Sequence, residues 1–459
     1  MSHLTLPLFR PAAPAHAAPL VAARPQLRDD QRAWLAEIDA AFRSHRVVCA
    51  QAPTGFGKTF AVATLLRDHV GRAVFLAHLD TIITDTAERL ASHGVRVGIV
   101  QADRPADPAA PVQVCSLATV HARGVAPDAT LVILDECHRA LGPSVRAILS
   151  AYPGARILGI TATPQRADGQ ALGDVFERIV QGPSFASLLA VGALVPARIH
   201  APSKFLDGRL NEQPVAAWQR TCVGRRGIVF CASIEAAANE VERFNSAGIP
   251  ARLMVGDTSR AERERIRIDL RAGIISVIVG VDVFREGFDE PCISAVILAR
   301  AYEFTGSWLQ AIGRGVRSHP GKTDCIVHDL GGSVHLLGFP DEPRVWSIDG
   351  DACVRTSRAG SIYRCLQCDA LWPTPRQCPN CGALPRTMRK LPRVLRRAEE
   401  AYLMEHDPEF RAKRQAAFDC DRYWQRVHDN ITRNGKPEWV ARRIADKAVV
   451  TKRRNLGLD

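Results

Sequence analysis

Short unbroken apolar runs alternate with longer amphipathic stretches up to about residue 332. One set of runs lies at 47–52, 73–77, 95–100, 112–117, 131–134 and 156–160, and a second at 227–232, 251–255, 276–281, 295–299 and 325–328. Runs this short, apolar at consecutive positions, predict parallel strands buried on both faces. Their alternation with helical stretches predicts open α/β sheets joined by right-handed crossovers. Residues 185–226 carry Pro196, Pro202 and Pro214 and no strong motif, so the join between two α/β domains is placed inside them. The expected organisation is a flexible Ala/Pro-rich leader at 1–24, a first domain at 25–205 and a second at 206–340. A linker with a four-cysteine ribbon follows at 341–390, and a basic helical tail at 391–459.

Two local patterns carry chemistry. Ala52-Pro53-Thr54-Gly55-Phe56-Gly57-Lys58-Thr59 follows a strand and precedes a helical stretch. Glycines let such a turn aim its backbone N–H groups at a triphosphate, and the helix N-terminus favours the negative charge. Thr54, Gly55, Phe56 and Gly57 would form the cradle, Lys58 would reach the β and γ phosphates, and the Thr59 hydroxyl would bind Mg²⁺. About 80 residues on, the apolar strand 131–134 ends in Asp135-Glu136-Cys137-His138. Strand tips are where open α/β sheets bind ligands. There Asp135 can hold the Mg²⁺ and Glu136 can orient and deprotonate a water.

The order Gly57-Lys58-Thr59, then Asp135-Glu136-Cys137-His138, then Thr161-Ala162-Thr163-Pro164 resembles the superfamily 2 helicases of the DEAD/DEAH type, over roughly residues 25–332. The resemblance implies two tandem RecA-like parallel-sheet domains. It implies an adenine-recognising element at Leu27-Arg28-Asp29-Asp30-Gln31, with Arg28 and Gln31 near the base. It implies coupling roles for His138, Thr161 and Thr163. The segments 281–291 and 310–317 resemble the fifth and sixth helicase motifs, which places Gly287, Asp289, Gln310, Arg314 and Arg317 at the nucleotide. A guanidinium suits the charge that spreads over the γ-phosphate oxygens, and arginines three apart share a helix face. One departure is Leu79, where many relatives carry an arginine that touches the nucleic-acid backbone.

Cys365-Leu366-Gln367-Cys368 and Cys378-Pro379-Asn380-Cys381 form two CxxC pairs nine residues apart. Two such turns can place four thiolates around Zn²⁺ in a closed, structural site. The other nine of the 13 cysteines are scattered, many in apolar runs, and read as buried thiols of a reducing compartment. The helicase motifs followed by this ribbon resemble, more loosely, RadD-type DNA-repair ATPases and prophage helicases. That points to DNA over RNA and to repair or recombination, with a single-strand-binding protein among the partners.

The net charge is +12, and residues 386–459 hold 19 Lys and Arg against 11 Asp and Glu. Such an excess suits nucleic acid, whose phosphates release counterions on neutralisation. Tyr402, Phe410, Phe418, Tyr423, Trp424 and Trp439 lie in the same segment, either as the core of a small bundle or as stacking platforms. No apolar run is long enough to span a membrane, and a cytoplasmic location is the default. The function expected is a nucleic-acid-dependent ATPase that moves along or remodels DNA, using ATP, Mg²⁺ and Zn²⁺. A translocase without strand separation and a non-enzymatic ribbon scaffold with a vestigial ATP site are the alternatives.

Overall fold

The computed structural model describes residues 26–455 except 79, 102–106, 125, 140, 167–169, 207, 282–287, 350–352, 356–361, 374–376, 385–387, 434–435 and most of 392–419. The leader, Leu79, Gly287, Tyr402, Phe410 and Phe418 therefore lie outside the described residues.

The first sheet contains β1 (Val47–Gln51), β2 (Ala73–Ala77), β3 (Val97–Val100), β4 (Val112–Ser116), β5 (Leu131–Asp135), β6 (Arg156–Thr161) and β7 (Arg178–Gln181). They are parallel, in the order β3-β4-β2-β5-β6-β1-β7. Because successive side chains point to opposite faces, each apolar run feeds two cores. Val48, Ala50, Phe75 and Ile133 pack with α1 (Asp29–Ala41), α2 (Lys58–Asp68) and α3 (Asp80–Ser92). Cys49, Leu76, Val132 and Leu134 pack on the other face with α4 (Leu117–Arg123) and α5 (Pro143–Ser150). Burial from both sides is why these runs show no polar alternation.

After α6 (Phe185–Ala190) the chain enters the second sheet. Its strands are β8 (Ala197–His200), β9 (Gly227–Cys231), β10 (Ala251–Met254), β11 (Val277–Gly280), β12 (Ala295–Ala299) and β13 (Cys325–Asp329), in the parallel order β10-β11-β9-β12-β13-β8. Helices α7 (Pro214–Thr221) and α8 (Ile234–Ser246) cover one face through Trp218 and Phe244. Helices α9 (Arg260–Ala272) and α10 (Thr305–Gly313) cover the other through Ile266, Leu270, Trp308 and Ile312. That second face and the α1–α3 face of the first sheet belong to one continuous cluster of buried residues.

A boundary at 205 does not match the sheets. β8 pairs in register with β13, Ala197 beside Cys325 and His200 beside His328, so the crossing lies before residue 197. Pro196 and Pro202 flank that strand instead of marking a linker, since proline is tolerated at strand ends. The 341–390 segment is not free-standing either. After the short α11 (Val334–Leu337), β14 (Arg344–Trp346) returns to the first domain. Gln181 exchanges side-chain hydrogen bonds with the Trp346 main chain at 3.3 and 3.4 Å, and Gly173 N–H donates to Ile348 O at 2.7 Å. β14 pairs with β15 (Cys353–Arg355). The ribbon strands β16 (Ile362–Cys365), β17 (Ala370–Trp372) and β18 (Met388–Leu391) then extend the second sheet, β17 running antiparallel to β8. In the tail, α12 (Cys420–Arg433) and α13 (Glu438–Asn455) pack as a hairpin. No described helix is long and apolar enough to cross a membrane.

Candidate nucleotide cleft

The turn between β1 and α2 is shaped by its glycines. Gly55 and Gly57 have φ of +89° and +90°, a region closed to most side chains. Phe56, between them, is buried and packs edge-on against Trp34 at 5.2 Å between ring centroids. Its carbonyl accepts from Arg28 Nη2 and from Gln31 Nε2, both at 2.9 Å. Arg28 and Gln31 thus clasp the turn from behind. Lys58 Nζ folds back to donate to Ala52 O at 2.9 Å. Burial pulls its pKa down to about 8, against the opposing pull of Glu136 and Asp135.

β5 delivers the two carboxylates to its C-terminal tip. Glu136 sits at φ 44°, in the left-handed region that non-glycine residues seldom enter, and its N–H is held by Asp135 Oδ1 at 2.9 Å. His138 Nδ1 lies 3.4 Å from Glu136 Oε2 and 2.8 Å from Thr161 Oγ1. Thr161 Oγ1 in turn donates to Thr163 O at 3.2 Å and accepts from Thr163 N–H at 3.0 Å. A polar chain therefore leads from the acidic tip to the end of β6.

The second domain meets this edge through α10. A Cβ placed on Gly313 would lie 2.6 Å from Thr54 Cβ, and one on Gly306 would lie 3.0 Å from Thr163 Oγ1. Only hydrogen at Gly313 permits so close an approach. Just beyond, Arg314 donates to Phe288 O at 2.8 Å, and Arg317 forms an ion pair with Asp289. A Cβ on Gly55 would clash with Leu194 Cδ2 at 2.5 Å and reach within 3.6 Å of Arg317 Cγ, so this arginine lies about one side-chain atom beyond the phosphate turn. Burial lowers the Arg317 pKa to about 10, which leaves it charged at neutral pH.

Thr54, Gly55, Gly57, Lys58, Thr59, Asp135, Glu136, Asp289, Arg314 and Arg317 all line one cleft of about 460 Å³ between the domains. Gln310 does not line it: its side chain is buried in α10, with only 5% of its surface exposed. Four- and three-residue spacing puts Gln310 on the same helix face as Gly306 and Gly313, which meet Thr163 and Thr54 of the first domain.

Arg89 is a cleft residue that motif reading missed. It projects from α3 and lies 3.7 Å from Asp289 across the domain boundary, sharing that carboxylate with Arg317. Burial pushes its pKa down. The preceding residue, Glu88, pairs with Arg260 of α9 at 2.8 Å. A signal was present: Asp85, Arg89 and His93 recur every four residues beside the buried Ile83, Ala87 and Leu90, and all three line the cleft.

The four ribbon cysteines bring their sulfurs within 4.8 Å of one another. The Cys365–Cys381 and Cys368–Cys378 separations are both 3.6 Å. Tetrahedral thiolates at about 2.3 Å from zinc are spaced by about 3.8 Å, so the set fits that ion.

Comparison with known proteins places this cleft in a family. Residues 24–166 match the type III restriction enzyme res-subunit model, and 215–319 match the helicase conserved C-terminal domain, together more than half the chain. A 51.5 kDa protein of a Lactococcus phage is 26% identical over 72% of this chain and 77% of its own length. A mitochondrial ATP-dependent helicase by name, from Schizosaccharomyces pombe, is 28% identical over 48% of this chain. The chain spans only 41% of that relative's length. The fold is shared with a fragment of a type I restriction enzyme HsdR subunit from Vibrio vulnificus (TM-score 0.51, 19% identity, 68% of this chain and 66% of that one). With both matched models in the order of the two sheets and the cleft between them, the chain belongs to the superfamily 2 helicases, nucleic-acid-dependent enzymes that hydrolyse ATP.

Proposed function

We propose that the chain hydrolyses ATP in the cleft between its two sheets and uses the cycle to move along or remodel DNA, in repair or recombination. The observation that carries this reading is the approach of the Gly55 turn to Arg317, which puts a phosphate cradle and a guanidinium from different domains around one space. The turn's N–H groups and Lys58 hold the phosphates, and Arg28 and Gln31 stiffen the turn from behind. Thr59 and Asp135 offer hydroxyl and carboxylate oxygens, a hard donor set that suits Mg²⁺, which when bound neutralises β and γ oxygens. Glu136 takes a proton from the attacking water, and the γ-phosphoryl passes to that oxygen as ADP leaves. Arg314 and Arg317 stabilise the charge on the transferring group. The His138–Thr161–Thr163 chain reports the state of Glu136 to α10 through the Gly306 contact. The four ribbon thiolates would hold Zn²⁺, which would cross-link the two CxxC turns beside β8 in a structural role.

ATP turnover and strand displacement, measured side by side with single-stranded, forked and duplex DNA and with RNA, test the reading. Stimulation by DNA above RNA is expected. Turnover indifferent to every polynucleotide would contradict it. Displacement beside turnover marks a strand separator, and turnover alone marks a translocase.

Lys58 adds a pH signature. Its ammonium is buried with a pKa of about 8 before the triphosphate arrives. Phosphate charge raises that pKa, so binding is tightest below pH 8 and weakens as pH rises through it, by up to about tenfold per unit. Calorimetric titration of ATP between pH 7 and pH 9.5 should show this decline, and Lys58→Arg should flatten it. A wild-type affinity constant across the range would remove Lys58 from the phosphates.

A further inference from the structure

We propose that the C-terminal hairpin is a second nucleic-acid site, which holds a single strand in the groove between α12 and α13. The choice of ligand rests on the nucleic-acid reading above. The groove, about 580 Å³, is walled by Tyr423 from α12 and by Arg443, Ile444, Lys447, Ala448, Thr451 and Lys452 from α13.

Three features of the hairpin select this occupant. The first is charge segregation. The two carboxylates within α13 are turned to α12: Asp446 accepts from Trp424 Nε1 at 2.7 Å, and Glu438 lies 2.9 Å from His428 Nε2. The groove wall is left with Arg443, Lys447 and Lys452 and no acidic side chain. The second is spacing. Arg443, Lys447 and Thr451 follow one another at four-residue intervals, about 6 Å apart along the axis, as a row of donors beside a backbone would. The third is the state of the aromatics. The fully buried residues of α13 are small, Ala441 and Ala445. Tyr423 and Trp424 are only half-buried, and Trp439 is 67% exposed. Trp424 belongs to the helix contact, stacked on the buried His428 at 4.6 Å and bonded to Asp446, whereas Tyr423 borders the groove. A tyrosine ring beside a row of cations is the pairing that holds unpaired bases by stacking and their phosphates by charge.

The test uses the full chain without nucleotide and a fluorescent oligothymidylate, with anisotropy read over a range of salt. Each phosphate neutralised on a single strand contributes about 0.7 to the slope of log K against log salt. Replacing Arg443, Lys447 and Lys452 together with Ala should lower that slope by about 2. Tyr423→Ala should weaken binding roughly 5- to 100-fold with the slope unchanged, because stacking releases no counterions. Circular dichroism confirms that the helices persist, and Lys58→Ala, which stops hydrolysis without touching the groove, separates this site from the motor. Slopes and affinities equal to wild type in both groove variants overturn the proposal. So does loss of binding to a polyglutamate peptide with oligothymidylate affinity intact, which assigns the groove to an acidic protein segment.

Discussion

Arg317→Ala lowers nucleic-acid-stimulated ATP turnover by roughly 10³- to 10⁵-fold, the range for loss of an arginine finger, while the Kd for ATP moves by no more than a few-fold. The asymmetry follows from where the side chain sits. It comes from the second domain, while the cradle, the lysine and both carboxylates come from the first, so ground-state contacts survive its removal. The ion pair with Asp289 holds Arg317 at the cleft before nucleotide arrives, and Arg89 shares that carboxylate from the opposite side. Asp289 thus keeps a cationic partner when Arg317 moves onto phosphate or is deleted, and the variant should stay folded. Arg317→Lys should recover little, because an ammonium cannot reproduce a planar two-pronged donor. Single-turnover hydrolysis beside equilibrium binding of a fluorescent ATP analogue reads both quantities. Turnover within tenfold of wild type would mean that the transition-state charge is met elsewhere.

Glu136→Gln removes the base and keeps the shape. Turnover should fall by roughly 10²- to 10⁴-fold. ATP binding should persist, because the proposed partner of Glu136 is the water, while the cradle is built from the Gly55–Gly57 turn and Lys58. The left-handed backbone at this position is maintained from outside the side chain, by the Asp135 Oδ1 bond to the Glu136 N–H, so the amide should be tolerated. The variant should also accumulate on DNA in the presence of ATP, since release requires the phosphoryl to leave. Filter binding with and without ATP measures that accumulation. A variant that hydrolyses normally would shift the base to another group.

The elements legible in the sequence were those whose chemistry is local. A phosphate turn needs glycine at fixed places and a lysine at the start of a helix, so Gly55, Gly57 and Lys58 announce it without a third dimension. Strands buried on both faces announce themselves as unbroken apolar runs, as at 131–134. Two CxxC pairs fix four sulfurs by their own turns. What the sequence concealed depends on the partner surface. Arg89 gains its place only because α3 faces Asp289 of the other domain, although its spacing with Asp85 and His93 hinted at a shared face. Gln310 sits in a recognised motif, yet it is buried on the helix face that meets Thr54 and Thr163 and does not line the cleft. The prolines at 196 and 202 suggested a linker because proline breaks elements, but here they bracket β8, whose place is fixed by pairing with a strand more than 120 residues away. The same limit applies to the tail, where counting aromatics could not tell core from surface. The structure divides them: Trp424 stacks on the buried His428, while Trp439 is exposed.

The central claim is that one triphosphate is held from both domains at once. The structure of the full chain with a non-hydrolysable ATP analogue and Mg²⁺ tests it most directly. The account predicts γ-phosphate oxygens within hydrogen-bond reach of Lys58 on one side and of Arg314 or Arg317 on the other. An analogue gripped by Lys58 with both guanidinium groups turned away, or one seated outside this cleft, would contradict it.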